Sequence, residues 1–192
     1  MSSDTNDLSS PSSGARTRQS VMLRALHDSI RELLEGNSDL RAAVLSGQTA
    51  SVKALIDGGA DINARRDNDG MSPLNVASKA GLTDIVRILL DNGADIESRD
   101  DEGCAPLFNA VRCKHHDIVA LLIERGADAD TQQNDGRSPL MEACHLGMLN
   151  TVHLLLNHGS QVNTYDEDGW TPLYYASDAG CLLYTSPSPR DS

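Results

Sequence analysis

Any chemistry in this chain would have to come from its cysteines, histidines and clustered acids. Cys113 stands near His115 and His116, and Cys144 beside His145, residue types that metal binding or thiol catalysis would use. A zinc site needs a tetrahedral set of converging ligands, normally in paired short spacings. Those spacings are missing here, so the thiols read as buried or half-buried structural residues. Asp67-Asn68-Asp69-Gly70 and Asp166-Glu167-Asp168-Gly169 look like half a calcium loop. Val76 and Tyr175 stand where a full loop carries its glutamate, so both stretches read as turn-forming acids. No phosphate-cradling glycine loop, no Gly-x-Ser-x-Gly and no His-Glu-x-x-His occurs. The sequence therefore predicts no catalytic, cofactor-binding or metal-binding residue, and no enzyme.

The elements that hold these residues are announced by a recurring phrase, Gly-x-Ser/Thr-Pro-Leu. It stands at Gly70–Leu74, Gly136–Leu140 and Gly169–Leu173, and with alanine in the third place at Gly103–Leu107. The prolines at 73, 106, 139 and 172 are each 33 residues apart. Ala77, Ala110, Ala143 and Ala176 keep the same step, as do Gly93, Gly126 and Gly159, and Ile85, Ile118 and Thr151. A fixed period of this length marks a stacked repeat architecture. The glycine takes positive φ and closes a turn. Ser or Thr is placed as a helix N-cap, and proline follows at the first helical position, where its missing N–H costs nothing. Leucine and alanine then line a short inner helix. After a break at Gly81, Lys114 or Gly147, a second apolar pattern predicts an amphipathic outer helix: Ile85, Val86, Leu89, Leu90; Ile118, Val119, Leu122, Ile123; Val152, Leu155, Leu156. It ends at Gly93, Gly126 or Gly159, placed as left-handed C-caps. In this frame Arg112 and His145 are equivalent, as are Cys113 and Leu146, so these side chains lie on neighbouring inner helices.

The pattern resembles the ankyrin repeat: turn, inner helix, turn, outer helix, then a finger leading to the next repeat. Ala94-Asp95 and Ala127-Asp128 after the capping glycines add to the match, which covers roughly residues 37 to 180. The resemblance implies an all-α ankyrin-repeat solenoid of about 4.5 helix-turn-helix repeats with finger loops. Repeats are expected at about 37–66, 67–99, 100–132 and 133–165, with a truncated one at 166–180. There are departures. Ala105 lacks the capping hydroxyl, which should cost the third repeat about 1 kcal/mol. Ser160-Gln161 replaces Ala-Asp, and Asn75, Phe108, Met141 and Tyr174 stand where the family usually has histidine. One extra residue falls within 64–69, since Gly47 to Gly81 and Gly59 to Gly93 step by 34. The first repeat lacks the proline and has Asn37-Ser38-Asp39 as a polar cap.

Composition bounds the partners. A formal net charge of −12 argues against nucleic acid and against an anionic membrane surface, both of which are gripped through Lys and Arg. The single Phe and single Trp suit a thin core of Leu, Ile, Val and Ala. No stretch approaches a membrane span or a secretory signal. Four cysteines at irregular spacing read as reduced thiols of a cytoplasmic or nuclear protein.

Both ends differ from the repeats. Residues 1–19 are polar with almost no apolar residue and read as a disordered leader; Ser10-Pro11 and the run Arg16-Thr17-Arg18-Gln19-Ser20 could accept phosphate, though a solvated tail is the expected reading. Residues 20–36 read as an amphipathic helix, with Leu23, Leu26, Ile30, Leu33 and Leu34 on one face and Gly36 as its stop; covering the open end of the stack is its expected use. Residues 181–191 look like the in-frame translation of a transposon-end adapter used in preparing sequencing libraries. Residues 181–192 are therefore expected to be a non-native tail, the true chain continuing beyond Gly180.

What the resemblance implies for function is a docking surface on the concave side, made of finger tips and exposed inner-helix positions. Carried onto the matching positions, it gives Asn68, Asp69, Met71 and Lys79 in the second repeat, and Asp101, Glu102, Cys104 and Arg112 in the third. The fourth contributes Asn134, Asp135, Arg137 and His145; the fifth contributes Glu167, Asp168, Trp170 and Asp178, with Tyr165 from the finger before it. Met71, Arg137 and Trp170 are the expected anchors, facing a protein partner with a basic segment; the domain itself is expected to be a monomer. Asn63 and Asn163 resemble the Asn hydroxylation sites of ankyrin fingers. Two functional classes follow: a non-catalytic adaptor or scaffold, or the substrate-choosing part of a larger enzyme or ubiquitin-ligase component.

Overall fold

The computed structural model describes residues 36–65 and 68–180. The expected leader, the body of the 20–36 helix and the 181–192 tail lie outside these residues. Among those described there are nine α-helices and no strand. We number them α1 (Gly36–Leu45), α2 (Thr49–Asp57), α3 (Pro73–Ala80), α4 (Thr83–Asp91), α5 (Pro106–Arg112), α6 (His116–Glu124), α7 (Pro139–His145), α8 (Leu149–Asn157) and α9 (Pro172–Asp178). Helix α1 includes Gly36 and Asn37-Ser38-Asp39, so Asn37-Ser38-Asp39 lie within this helix and not ahead of it as its cap.

The recurring phrase does what its chemistry requires. Ser72, Ser138 and Thr171 hold extended backbone, and their hydroxyls accept from the N–H of Asn75, Met141 and Tyr174 at 3.3, 3.3 and 3.4 Å. Ala105 has the same backbone and no such bond. Each proline opens its helix, where no donor is lost.

The helices pair as hairpins: α1 with α2, α3 with α4, α5 with α6, α7 with α8. Inner helices α1, α3, α5, α7 and α9 pack side by side in chain order, and outer helices α2, α4, α6 and α8 do the same behind them. The core lies between the layers. Leu74, Leu107 and Leu140 fill it from the inner side and Leu89, Leu122 and Leu155 from the outer, all at most 2 % exposed. Ala77, Ala110 and Ala143 are fully buried, small enough to let neighbouring inner helices close up. Each buried leucine contributes about 1.5–3 kcal/mol, but only where a layer lies on both sides. In α9, the last helix among the described residues, Leu173 is 71 % exposed.

One turn departs from glycine. Between inner and outer helices the chain passes through left-handed backbone at Gly47, Gly81 and Gly147, and in the third repeat at Lys114, with φ of 62°. A side chain there costs about 1 kcal/mol that glycine does not incur. Lys114→Gly is therefore expected to stabilise the domain by about 0.5–1 kcal/mol. A calorimetric midpoint unchanged or lowered would contradict this.

Candidate functional site

The fingers are built from tight turns closed by their own backbone. Asp100 N–H donates to Cys104 O at 3.1 Å and Gly103 N–H to Asp100 O at 3.0 Å; residues 133–137 and 166–170 repeat both bonds. A buried acid locks the turn in two of them. Asp100 Oδ1 accepts from the N–H groups of Glu102 and Cys104, and its Oδ2 from Asn109 Nδ2 at 3.1 Å. Asp166 Oδ1 accepts from the N–H groups of Asp168 and Trp170, and its Oδ2 from the Tyr175 hydroxyl at 2.7 Å. Burial, then this bond to Asp166, pushes the Tyr175 phenol up to about 12.

Successive fingers are stitched together. Asp101 N–H donates to Asp69 O, Asn134 N–H to Glu102 O and Glu167 N–H to Asp135 O, at 3.2, 3.0 and 2.9 Å. On the outer-helix side, Asn63 Oδ1, Glu97 Oε1 and Asp130 Oδ1 each accept a backbone N–H of the next repeat, from Asp95, Asp128 and Gln161, all at 2.8 Å. Arg99 reaches across to Gln132 O and Thr131 Oγ1, and Arg65 holds Gly70 O at 2.8 Å. The tips therefore sit on a spaced, fixed backbone.

The expected surface residues divide into three groups. Asn68, Lys79, Asp101, Glu102, Asn134, Asp135, His145, Tyr165, Glu167, Asp168, Trp170 and Asp178 are exposed. Asp69, Arg112 and Arg137 are half-buried and engaged within the domain. Arg41 of α1 pairs with Asp69. Burial pulls the Asp69 carboxyl up, but the Arg41 hydrogen bond and the Met71 N–H together hold it below its ordinary value. Both terminal nitrogens of Arg112 donate to Glu102 Oε2, at 2.8 and 2.9 Å, and that bond keeps Glu102 below the usual carboxylate range. Arg137 stands over the Tyr175 ring, 4.5 Å from its centroid, with Nε 3.2 Å from Glu142 Oε2.

Met71 and Cys104 form the third group and correct the expectation. Met71 is 8 % exposed and Cys104 fully buried, so neither lines a surface. In these two repeats the residue after the finger glycine is covered by its surroundings. Cys104 Sγ lies 3.3 Å from Gln133 Oε1 of the next finger. Burial and the Asp100 charge push its thiol up to about 12. Of the three expected anchors, only Trp170 keeps an open face, at 40 % exposure.

The thiol and imidazole array disperses into structural contacts. His115 Nε2 lies 3.1 Å from Lys79 O, His116 Nδ1 lies 3.0 Å from Thr151 Oγ1, and His145 meets the Tyr175 ring edge-on at 5.8 Å. Among the described residues no three His, Cys, Asp or Glu gather as metal ligands would. No described helix is long and apolar enough to cross a membrane. Asn63, expected as a modification site, serves as the inter-repeat acceptor just described. Asn163, at the same position one repeat after Asp130, is exposed.

A two-layer helical solenoid with stitched, acid-tipped fingers defines a repeat protein. The family model for ankyrin repeats (3 copies) matches residues 40–133 and 107–184, and the chain belongs to the ankyrin-repeat family. No curated protein matches the chain. Ankyrin repeats are in general protein–protein interaction modules, and such domains are typically non-catalytic.

Proposed function

We propose that this domain works as a non-catalytic adaptor or scaffold, a monomer in the cytoplasm or nucleus, that holds a partner protein through a basic segment laid along the finger row. The observation that carries this reading is the row of exposed acids, Asp101, Asp135, Glu167 and Asp168, on backbone fixed by one hydrogen bond per repeat. A surface already in place loses little conformational entropy on binding. Its charge excess attracts a basic chain and steers its approach. Among the described residues Cys104 and Cys113 are free thiols, which suits a reducing compartment.

The test is a titration of the full chain with a labelled peptide rich in Lys, Arg and Leu. Asp101→Asn, Asp135→Asn and Glu167→Gln together should weaken binding roughly tenfold, since each exposed pair is worth about 0.2–1 kcal/mol. Added salt should weaken the parent and leave the triple variant less affected. Equal affinity for both chains would end the proposal.

A further inference from the structure

In the third repeat the domain holds a guanidinium in a closed setting of its own making. Arg112 donates to Glu102 Oε2 with both terminal nitrogens, and its Nη2 lies 3.2 Å from Cys104 Sγ. The same group lies 5.5 Å from the centroid of the Phe108 ring. Three features surround it: an acid on the finger tip, the side chain after the finger glycine, and a ring one helical turn back.

Two repeat steps on, the same positions carry different residues. Asp168 stands for Glu102, Trp170 for Cys104 and Tyr174 for Phe108. Asp178 stands where Arg112 would be. The acid and the ring remain and a second ring is added, but the cation is replaced by another carboxylate. Trp170 and Tyr174 lie 4.8 Å apart at 32°, and both are open to solvent, 40 % and 47 % exposed. Among the described residues, neither Asp168 nor Asp178 has an ion-pair partner or a side-chain hydrogen bond.

We propose that the fifth repeat is a receptor for an arginine side chain of the partner protein, which supplies the guanidinium that this repeat lacks. This rests on the reading of the finger row as the docking surface, and it names the side chain that the row selects. The chemistry favours arginine over lysine. Trp170 and Tyr174 stack on each other, and a planar, weakly hydrated cation can lie on the outer face of that pair while its edges donate to the two carboxylates. The ammonium of lysine is a strongly hydrated point charge and matches one carboxylate at a time.

Trp170 is the single tryptophan of the chain, so its emission reports this site alone. The full chain is titrated with a short Gly/Ser peptide carrying two arginines, and with the same peptide carrying citrulline, which keeps the shape and loses the charge. The arginine peptide should change Trp170 emission saturably, with a Kd at least about tenfold lower than the citrulline peptide. Asp178→Arg places a guanidinium in the site from within, as Arg112 does in the third repeat. It should abolish the response while far-UV dichroism and the melting midpoint are kept or raised. Asp168→Asn with Asp178→Asn, which adds no charge, should weaken binding several-fold. Citrulline binding as well as arginine would overturn the inference, as would Asp178→Arg binding like the parent. If the arginine peptide binds Asp178→Arg normally but loses affinity for the triple finger variant, the arginine receptor falls and the finger row stands.

Discussion

Leu107→Ala should cost about 2–5 kcal/mol of unfolding free energy, whereas Leu173→Ala should cost less than about 0.5 kcal/mol. Both leucines follow the helix-opening proline, in α5 and α9, and no local rule separates them. Leu107 is fully buried, with inner helices α3 and α7 on either side. Removing it deletes the transfer free energy of the side chain and leaves a cavity that rigid neighbours cannot close. Leu173 is 71 % exposed, so its truncation removes little contact and opens no void. Urea unfolding of the two variants checks this. Comparable losses at both sites would mean that stability does not come from layer-on-layer contact.

Asp100→Ala is expected to destabilise the domain by on the order of 3 kcal/mol or more. Asp100 is 4 % exposed and accepts three hydrogen bonds, two from finger N–H groups and one from Asn109, whose side chain is fully buried. Bonds to a charged acceptor are worth about 1.5–3 kcal/mol each, and deleting the acceptor also strands buried donors. Asp100→Asn keeps an acceptor of the same shape and should lose about half as much. Because the same turn places Glu102, the Ala variant should also loosen the Glu102–Arg112 pair. An Arg112 guanidinium as ordered in the variant as in the parent by nuclear relaxation would show that finger and clamp are independent. A midpoint shift within error would remove Asp100 from the account.

The elements were legible because each depends on a few adjacent residues. Ser72, Pro73 and Leu74 carry their own instruction for a capped helix start, and the structure follows it in every repeat that has the hydroxyl. The absence of a cap at Ala105 was readable for the same reason. Exposure was harder to read, because in a solenoid it is set by the neighbouring layer. Met71, Cys104 and Trp170 share one place in the repeat, yet the first two are covered and the third is open. Arg137, at the same place, folds onto Tyr175, a ring that enters only in the following repeat. The stitching acceptors were missed for a similar reason. Asn63, Glu97, Asp130 and Asn163 differ in type, but all offer a side-chain oxygen at one position, and that shared property was the available signal.

The fingers form one preassembled row held by backbone hydrogen bonds. Amide hydrogen exchange at Asp101, Asn134 and Glu167 tests this most directly, because each of these N–H groups is on an exposed residue and bonds only to the finger before it. Slow exchange is expected at all three, lost together with the helices as denaturant is added. Exchange at the rate of an unstructured loop, with the helices still protected, would show independent fingers and contradict this.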